Sequence, residues 1–467
     1  MHVPTIGLEI HVELKTKTKM FCSCPNDPEE RHPNINVCPI CMGHPGTLPT
    51  INKEAVLEVV KAGLALGGKI ATGTNFDRKS YFYPDLPKGF QISQYEKPIV
   101  SGGTLNGIRI RRIHLEEDAG RLLHSDDGKS SLVDFNRAGL PLMELVTEPD
   151  IKNAEEAVKF ARELQLILRY LGVSDADMER GQMRVEANIS LDMSTKVEVK
   201  NINSFRAVHD AIKYELERQE EVIKEGKEVH QETRGWNEGK SRTESQRSKE
   251  SAHDYRYFPE PDLPPLDLKG LDLKEIKNNL PELPEAKRHR FVKEYGFDLI
   301  HIETIIEDKV TADYFENSAS ELKQLLPKTN YQNLLNYFTS DLRGLMKEQG
   351  IRMVGLKISA EHLAHLAAKI EKGELSSRLA KDLLKKMFET GEDPENLMQK
   401  EGISLMSNES QLEEFISEAI NSNPKAIEDY KNGKAQSLQF LVGQVMSKTK
   451  GKADPQVLRS MLLEKLK

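Results

Sequence analysis

Glu9, His11 and Glu13 recur at every second position in the run Gly7-Leu8-Glu9-Ile10-His11-Val12-Glu13-Leu14. Alternate side chains of an extended strand face opposite sides, so these three share one face and Leu8, Ile10, Val12 and Leu14 share the other. Two carboxylates and an imidazole on one face form a compact ligand set for a divalent cation. The pattern returns later in the chain. Over 183–191, Met183, Val185, Ala187, Ile189 and Leu191 point inward, leaving Arg184, Glu186, Asn188 and Ser190 outward. After a turn at Asp192–Thr195, Val197 and Val199 point inward, and Lys196, Glu198 and Lys200 outward. A merely solvated sheet face more often carries Thr, Lys and Ser than acids beside Asn and Arg. Gathered carboxylates need a cation. Mg²⁺ on a few carboxylates is the usual companion of nucleotide phosphates, and one imidazole also admits Mn²⁺. A fourth acidic element, Ile113-His114-Leu115-Glu116-Glu117-Asp118-Ala119-Gly120, contributes more acids, and parity does not say which one turns into the site.

The four cysteines all fall between positions 22 and 41, in the spacing C-x-C-x13-C-x2-C. Clustered this way, Cys22, Cys24, Cys38 and Cys41 suit tetrahedral Zn²⁺ in a closed structural site rather than a disulfide framework. With four thiolates bound, no position remains for a catalytic water. The motif taken alone also fits a nucleic-acid-binding ribbon. Gly63-Leu64-Ala65-Leu66-Gly67-Gly68-Lys69-Ile70 approaches a phosphate loop, but Ile70 lacks the hydroxyl that holds Mg²⁺ and the run ends a helix instead of opening one.

These strands need a scaffold. The 467 residues exceed what one core supports, so two or three domains are expected. Short alternating strands dominate up to about residue 258, interrupted by helical patterns at Glu54–Leu66 and Ala154–Leu171, the latter closed by Gly172. A proline-rich passage from Pro259 to Pro284 reads as a rigid linker or extended arm. Beyond about residue 290 the pattern is almost wholly helical. Net charge is −8, yet residues 431–467 hold eight bases against two acids, so the end of the chain is locally basic and suited to phosphates. No apolar run approaches a membrane span and no signal peptide is recognisable, so a soluble intracellular protein is expected.

Several stretches are long and idiosyncratic. They are Gly7–Leu14, Tyr81-Phe82-Tyr83-Pro84-Asp85-Leu86-Pro87-Lys88-Gly89-Phe90-Gln91-Ile92-Ser93-Gln94-Tyr95, Leu115–Gly120, Glu198–Phe205, Asp254-Tyr255-Arg256-Tyr257-Phe258-Pro259-Glu260-Pro261-Asp262-Leu263 and Phe440-Leu441-Val442-Gly443-Gln444-Val445-Met446. Together they resemble the B-subunit family of aspartyl/glutamyl-tRNA(Asn/Gln) amidotransferases along the full length of the chain. The resemblance implies an α+β fold. Residues 1–290 would form a cradle-like kinase and transamidase domain of antiparallel sheet with flanking helices, carrying the zinc knuckle at 22–41. Residues 291–400 would form a helical domain and 401–467 a small α-helical tRNA-binding tail.

It also implies a cytoplasmic ligase without membrane association, built as a heterotrimer with an amidase A-subunit and a small C-subunit. ATP would phosphorylate the side-chain carboxylate of Glu on tRNA(Gln) or Asp on tRNA(Asn), and ammonia from glutamine would then give Gln-tRNA or Asn-tRNA. At matched positions the resemblance implies Glu9, His11 and Glu117 as Mg²⁺ ligands, with Glu186, Glu198 and Lys200 completing the catalytic set. Tyr81, Lys88, Gln94, Arg184 and Arg256 would line the nucleotide cavity. Glu186 stands where some relatives carry Asp, and some relatives lack the cysteines, which argues against a catalytic role for the knuckle.

Overall fold

In the computed structural model, residues 2–125, 127–248, 255–403, 409–449, 452–453 and 455–466 are described. Asp254 of the aromatic motif lies outside them. The chain divides into two compact units, residues 1–284 and 285–467. It is a mixed α+β protein with a large sheet first and helices after it.

The first unit is organised by a 10-stranded sheet. Its elements are β1 (Pro4–Glu13), β2 (Asp77–Ser80) and β3 (Phe90–Ser93), which pair with each other in a small side sheet, then β4 (Ile108–Glu117), β5 (Pro141–Thr147), β6 (Met183–Leu191), β7 (Val197–Ile202), β8 (Glu232–Asn237) and β9 (Arg242–Ser248). The large sheet runs β9-β8-β7-β6-β1-β5-β4 and continues through Val100–Ser101 to Lys69–Ile70. All neighbours are antiparallel except β7 and β8. The alternation read from sequence is realised: Ile6, Leu8, Ile10 and Val12 are fully buried, while Glu9, His11 and Glu13 keep partial access. Each such aliphatic side chain contributes roughly 1.5–3 kcal/mol by leaving water.

Three helices cover the apolar face: α1 (Lys53–Ala65), α2 (Ala154–Leu171) and α3 (Phe205–Lys224). Their ends follow from local chemistry. Asn153 caps α2 by accepting from the Glu156 N–H, and Gly172 closes it at φ 72°. The near phosphate loop lies at the end of α1, whose exit bends at Gly67 with φ 71°. The proline-rich passage is an extended arm of this same unit in its first half only, and Leu273–Asn278 within it forms a short helix. Phe258–Pro259 pairs with β2, Leu266–Asp267 pairs with Gly73–Thr74, and Leu263 and Leu268 enter the core.

The second unit is helical. It includes α4 (Lys309–Leu325), α5 (Ala360–Glu371), α6 (Ser377–Thr390) and α7 (Pro394–Glu401). The terminal helices α8 (Glu409–Ser422), α9 (Pro424–Lys431), α10 (Gln436–Lys448) and α11 (Pro455–Leu466) share a cluster of their own around Leu412, Ile416, Leu441, Val445, Leu458 and Leu462. Among the described residues no helix is long and apolar enough to cross a membrane.

Candidate active site

The polar face of the large sheet gathers side chains from five adjacent strands. The register sets Glu9 opposite Glu186 and His11 opposite Arg184 across β1 and β6, and His11 opposite Glu144 across β1 and β5. Glu198 lies opposite Asn188, and His114 opposite Glu144. Two ligand sets result. Glu9, Glu186 and Glu198 each offer an oxygen within 4.8 Å of the others, and His11, Glu116 and Glu144 do the same. Glu9 and His11 are two residues apart on one strand, so the sets lie about 7 Å from each other along it.

The electrostatics match groups awaiting a cation. The Glu9 carboxyl is raised by burial and by the charges of Glu144, Glu186 and Glu198. Among the described residues its side-chain donor is Asn188, at 2.8 Å, and the Asn188 Oδ1 beside it is buried with no hydrogen-bond partner among them. An orphaned carbonyl oxygen next to three carboxylates fits an oxygen-coordinated ion such as Mg²⁺. His11 Nε2 stands 3.5 Å from Glu144 and 3.6 Å from Glu116. Burial alone would lower its imidazole, but the hydrogen bond and charge of Glu144, with the charges of Glu116 and Glu186, raise it to about 9. Glu144 is held well below the usual carboxylate range: burial opposes this, and the charges and hydrogen bonds of His114 and His11 outweigh it.

Cationic side chains border the two sets. Lys200 Nζ is 2.8 Å from Glu186 and 3.9 Å from Glu198, which also accepts from the Thr233 hydroxyl at 2.8 Å. Arg184 donates to Asp118 at 2.8 Å, and Arg137 donates to Asp118 at 2.7 Å and pairs with Glu13. Glu13 therefore belongs to an arginine-neutralised end of the face. Lys79 on β2 lies 4.9 Å from the Tyr255 ring and 5.7 Å from the Tyr81 ring. Burial disfavours its charge, but Glu116, Tyr257, Tyr81 and Glu144 more than restore it.

The structure does not bring every expected residue here. Glu117 turns away from His11. Its carboxylate takes both oxygens to Lys88 Nζ at 2.5 Å and accepts from the Ile92 N–H at 2.8 Å. The reason is a bulge. Pairing shifts from Thr147 opposite Ile110 to Val146 opposite Arg112, so Arg111 is an extra residue in β4. Ile108 and Ile110 face the core before it, Ile113 and Leu115 after it, and the reset aims Glu116 at the basin and Glu117 away. Lys88 leaves with Glu117. Gln94 is fully buried, donating to Thr74 Oγ1 at 2.6 Å and accepting from the Leu115 N–H at 3.0 Å, so it braces the sheet instead of lining the basin. Tyr81 packs edge-on against Tyr83 and Tyr255, within reach of the Glu116 charge. Arg256 is exposed between Tyr255 and Tyr257, with φ 46°.

Sequence reasoning missed Glu144, His114 and Lys79. Glu144 did leave a signal: it is the one charged residue in the otherwise apolar run Pro141-Leu142-Met143-Glu144-Leu145-Val146.

The cysteines converge. One sulfur from each of Cys22, Cys24, Cys38 and Cys41 lies within 4.8 Å of the rest. Cys41 Sγ accepts from the Cys38 N–H at 3.1 Å, and the fully buried Lys19 reaches it at 3.9 Å. The Cys22 hydrogen bond pulls the Cys41 thiol down to about 5; burial opposes this, while the Cys38 N–H and Lys19 assist. Four soft thiols with a thiolate already favoured fit Zn²⁺. The loop seats closely: a Cβ on Gly43, at φ 69°, would meet Lys88 Cγ at 2.5 Å. A cavity of about 220 Å³ lies beside the knuckle, lined in part by Cys22, Cys41, Arg78, Lys88, Glu117 and Glu260. It is separate from the two ligand sets.

A family model described as the GatB/GatE catalytic domain matches residues 4–273, and one described as the GatB domain matches residues 313–466. Among curated proteins, the aspartyl/glutamyl-tRNA(Asn/Gln) amidotransferase B-subunit of Thermoanaerobacter pseudethanolicus is 46% identical over 476 residues, covering 99% of this chain and 98% of that protein. The proteins of the same name from Persephonella marina and Thermotoga maritima are 44% and 45% identical, each over 99% of this chain.

Proposed function

This chain belongs to the family of B-subunits of aspartyl/glutamyl-tRNA(Asn/Gln) amidotransferases, and on that premise we propose that its carboxylate basin activates the side chain of a misacylated amino acid. The enzyme is a tRNA-dependent ligase. It phosphorylates Glu carried by tRNA(Gln), or Asp carried by tRNA(Asn), and amidates the product. In the first step a side-chain carboxylate oxygen attacks the γ-phosphorus of ATP, an O–P bond forms, the bond to the β-bridging oxygen breaks and ADP leaves. In the second, ammonia attacks the acyl-phosphate carbonyl carbon, the C–O bond breaks, and the proton that ammonia loses ends on the departing phosphate.

The observation that carries this reading is the pair of adjacent ligand sets on one sheet face. Phosphoryl transfer asks a protein mainly for position and for neutralised charge, and two divalent ions near the transferring group supply the latter. Glu9, Glu186 and Glu198 would hold one ion, with Asn188 Oδ1 in reach. His11, Glu116 and Glu144 would hold the other; Glu116 takes the place given to Glu117 from sequence. An oxygen-only set suits Mg²⁺, and the set with one imidazole accepts Mn²⁺ as well. Lys200, Arg184 and Lys79 stand at the rim, where they can meet phosphate oxygens or the charge that develops on them. Tyr81 borders the same space. The four cysteines hold a structural Zn²⁺.

Partners follow from the place of this chain in its family: an amidase A-subunit that releases ammonia, a small C-subunit that fastens the amidase to this chain, and tRNA. The basic residues of 431–467 make the terminal helices the tRNA-binding tail, with a helical domain before it. Deleting 401–467 should raise the KM for tRNA and leave ATP use in the kinase step less affected, in a salt-dependent manner.

The decisive assay is ATP-dependent formation of Gln-tRNA from Glu-tRNA, with the assembled enzyme and ammonia as donor. Glu9→Gln and Glu144→Gln should abolish amidation and leave tRNA binding intact. Amidation that survives both substitutions would reduce this chain to a tRNA tether and reject the reading.

A further inference from the structure

The helical unit holds a further metal-ligating cluster, far in sequence from the basin and the knuckle. Glu361 and His365 are four residues apart on α5, which places them on one face of that helix. Glu321 comes from α4. One ligand atom from each of Glu321, Glu361 and His365 lies within 4.8 Å of the other two.

Charge and orientation both point to a cation. The lysine of α5, Lys369, is committed to Glu374 and Glu395, and Lys357 to the Glu389 carbonyl. Neither Glu321 nor Glu361 has an ion-pair partner among the described residues. Two carboxylates held this close without a counterion repel each other. The histidine is already oriented. His365 Nδ1 is 2.5 Å from Asp393 Oδ2, which leaves Nε2 as the nitrogen free to coordinate. An imidazole fixed by a carboxylate on its far nitrogen is how proteins aim a metal-binding histidine. Asp393 is itself held, because it caps α7 by accepting from the Glu395 N–H at 2.8 Å.

We propose that Glu321, Glu361 and His365 form a site for a divalent transition-metal ion that ties α4 to α5, with Asp393 as the positioning residue for His365. One imidazole with two carboxylates admits Zn²⁺ and other transition-metal ions as well as Mg²⁺, and Zn²⁺, which an imidazole suits, is the probe for this site. Three protein ligands leave a fourth position for water.

The test uses the full chain, soaked with zinc as crystals and examined by anomalous diffraction above and below the zinc edge. An anomalous peak should lie at bonding distance from His365 Nε2 and the two glutamates. His365→Gln and Glu321→Gln should each erase that peak, keep the peak at the knuckle, and lower bound zinc by one per chain in elemental analysis. Asp393→Asn retains a good helix cap, so stability should hold while zinc affinity by calorimetry falls about 10–100-fold. Absence of the peak in the wild-type chain overturns the site. So does an unchanged zinc content in His365→Gln. An unchanged affinity in Asp393→Asn removes the positioning role. None of these readouts depends on amidation, so the site and the basin stand or fall separately.

Discussion

The two sides of the large sheet bury acids in opposite ways. On the basin side, Glu9, Glu186 and Glu198 share one small volume with a lysine at its edge, and Glu116 and Glu144 share another with two histidines. On the other side Glu117, Glu215 and Glu58 stand apart from one another. Glu117 has Lys88 and a backbone N–H. Glu215, fully buried on α3, takes two hydrogen bonds from Arg218 and one from Thr243. Glu58 on α1 has no cation near enough to bond it among the described residues, one of its oxygens is orphaned, and burial pushes its carboxyl up to about 8, so it takes a proton instead. A carboxylate that serves structure acquires a partner or gives up its charge. Carboxylates that remain clustered and under-compensated mark where a mobile cation belongs.

The contrast can be broken at several points. The largest effect is expected from Glu116→Gln, which removes a carboxylate from the His11 set. Amidation should fall on the order of 10³-fold and Mn²⁺ binding, followed by electron paramagnetic resonance, should weaken with unchanged thermal unfolding. Glu116→Gln with full activity would dissolve the distinction between the two sides.

Glu117→Gln tests the partnered side. It strands Lys88 as a buried charge, so unfolding by urea should show a loss of about 3 kcal/mol. Mn²⁺ affinity at the basin should not change, and a parallel drop in that affinity would place Glu117 with the ligands after all.

The knuckle is the third arrangement, with soft ligands in place of hard ones. Chelation should strip zinc from the knuckle and lower the melting temperature by about 2–4 °C for each kcal/mol lost. Mg²⁺ should not restore it. Restoration by Mg²⁺ would show that the sulfur cluster is not what sets the stability.

The smallest effect belongs to Glu58. Its folded value lies above the unfolded one, so its stabilising contribution is full below about pH 4.5 and declines until about pH 8 as the unfolded state releases its proton first. Glu58→Gln should flatten that decline by on the order of 1 kcal/mol between pH 6 and pH 9. A steeper pH dependence in the variant would contradict the neutral, buried carboxyl.

Legibility differed by region. In β1 and β6 the alternation of aliphatic and polar residues was enough to place Glu9, His11, Arg184 and Glu186, because a period of two has only two faces. Both helices read from spacing, at Glu54–Leu66 and Ala154–Leu171, appear within one residue of the expected ends. In β4 the same rule could not decide between Glu116 and Glu117. The extra residue at Arg111 reverses parity midway, and only the shift of the apolar positions from Ile108 and Ile110 to Ile113 and Leu115 hints at it. Gln94 and Lys88 sit in a motif full of polar groups, yet both serve the packed side.

The sequence alone determined that acids and a histidine share a strand face, that four thiols form a closed set, and that strands precede helices. These are consequences of short-range periodicity and spacing, which each segment carries within itself. Only the tertiary structure decided which acids meet. Glu144 joins His11, Glu116 joins both, and Glu117 pairs with Lys88, because strand register and one bulge bring together residues that are far apart in the chain. Those pairings depend on the sheet as a whole, where a shift of one residue exchanges the faces of everything beyond it.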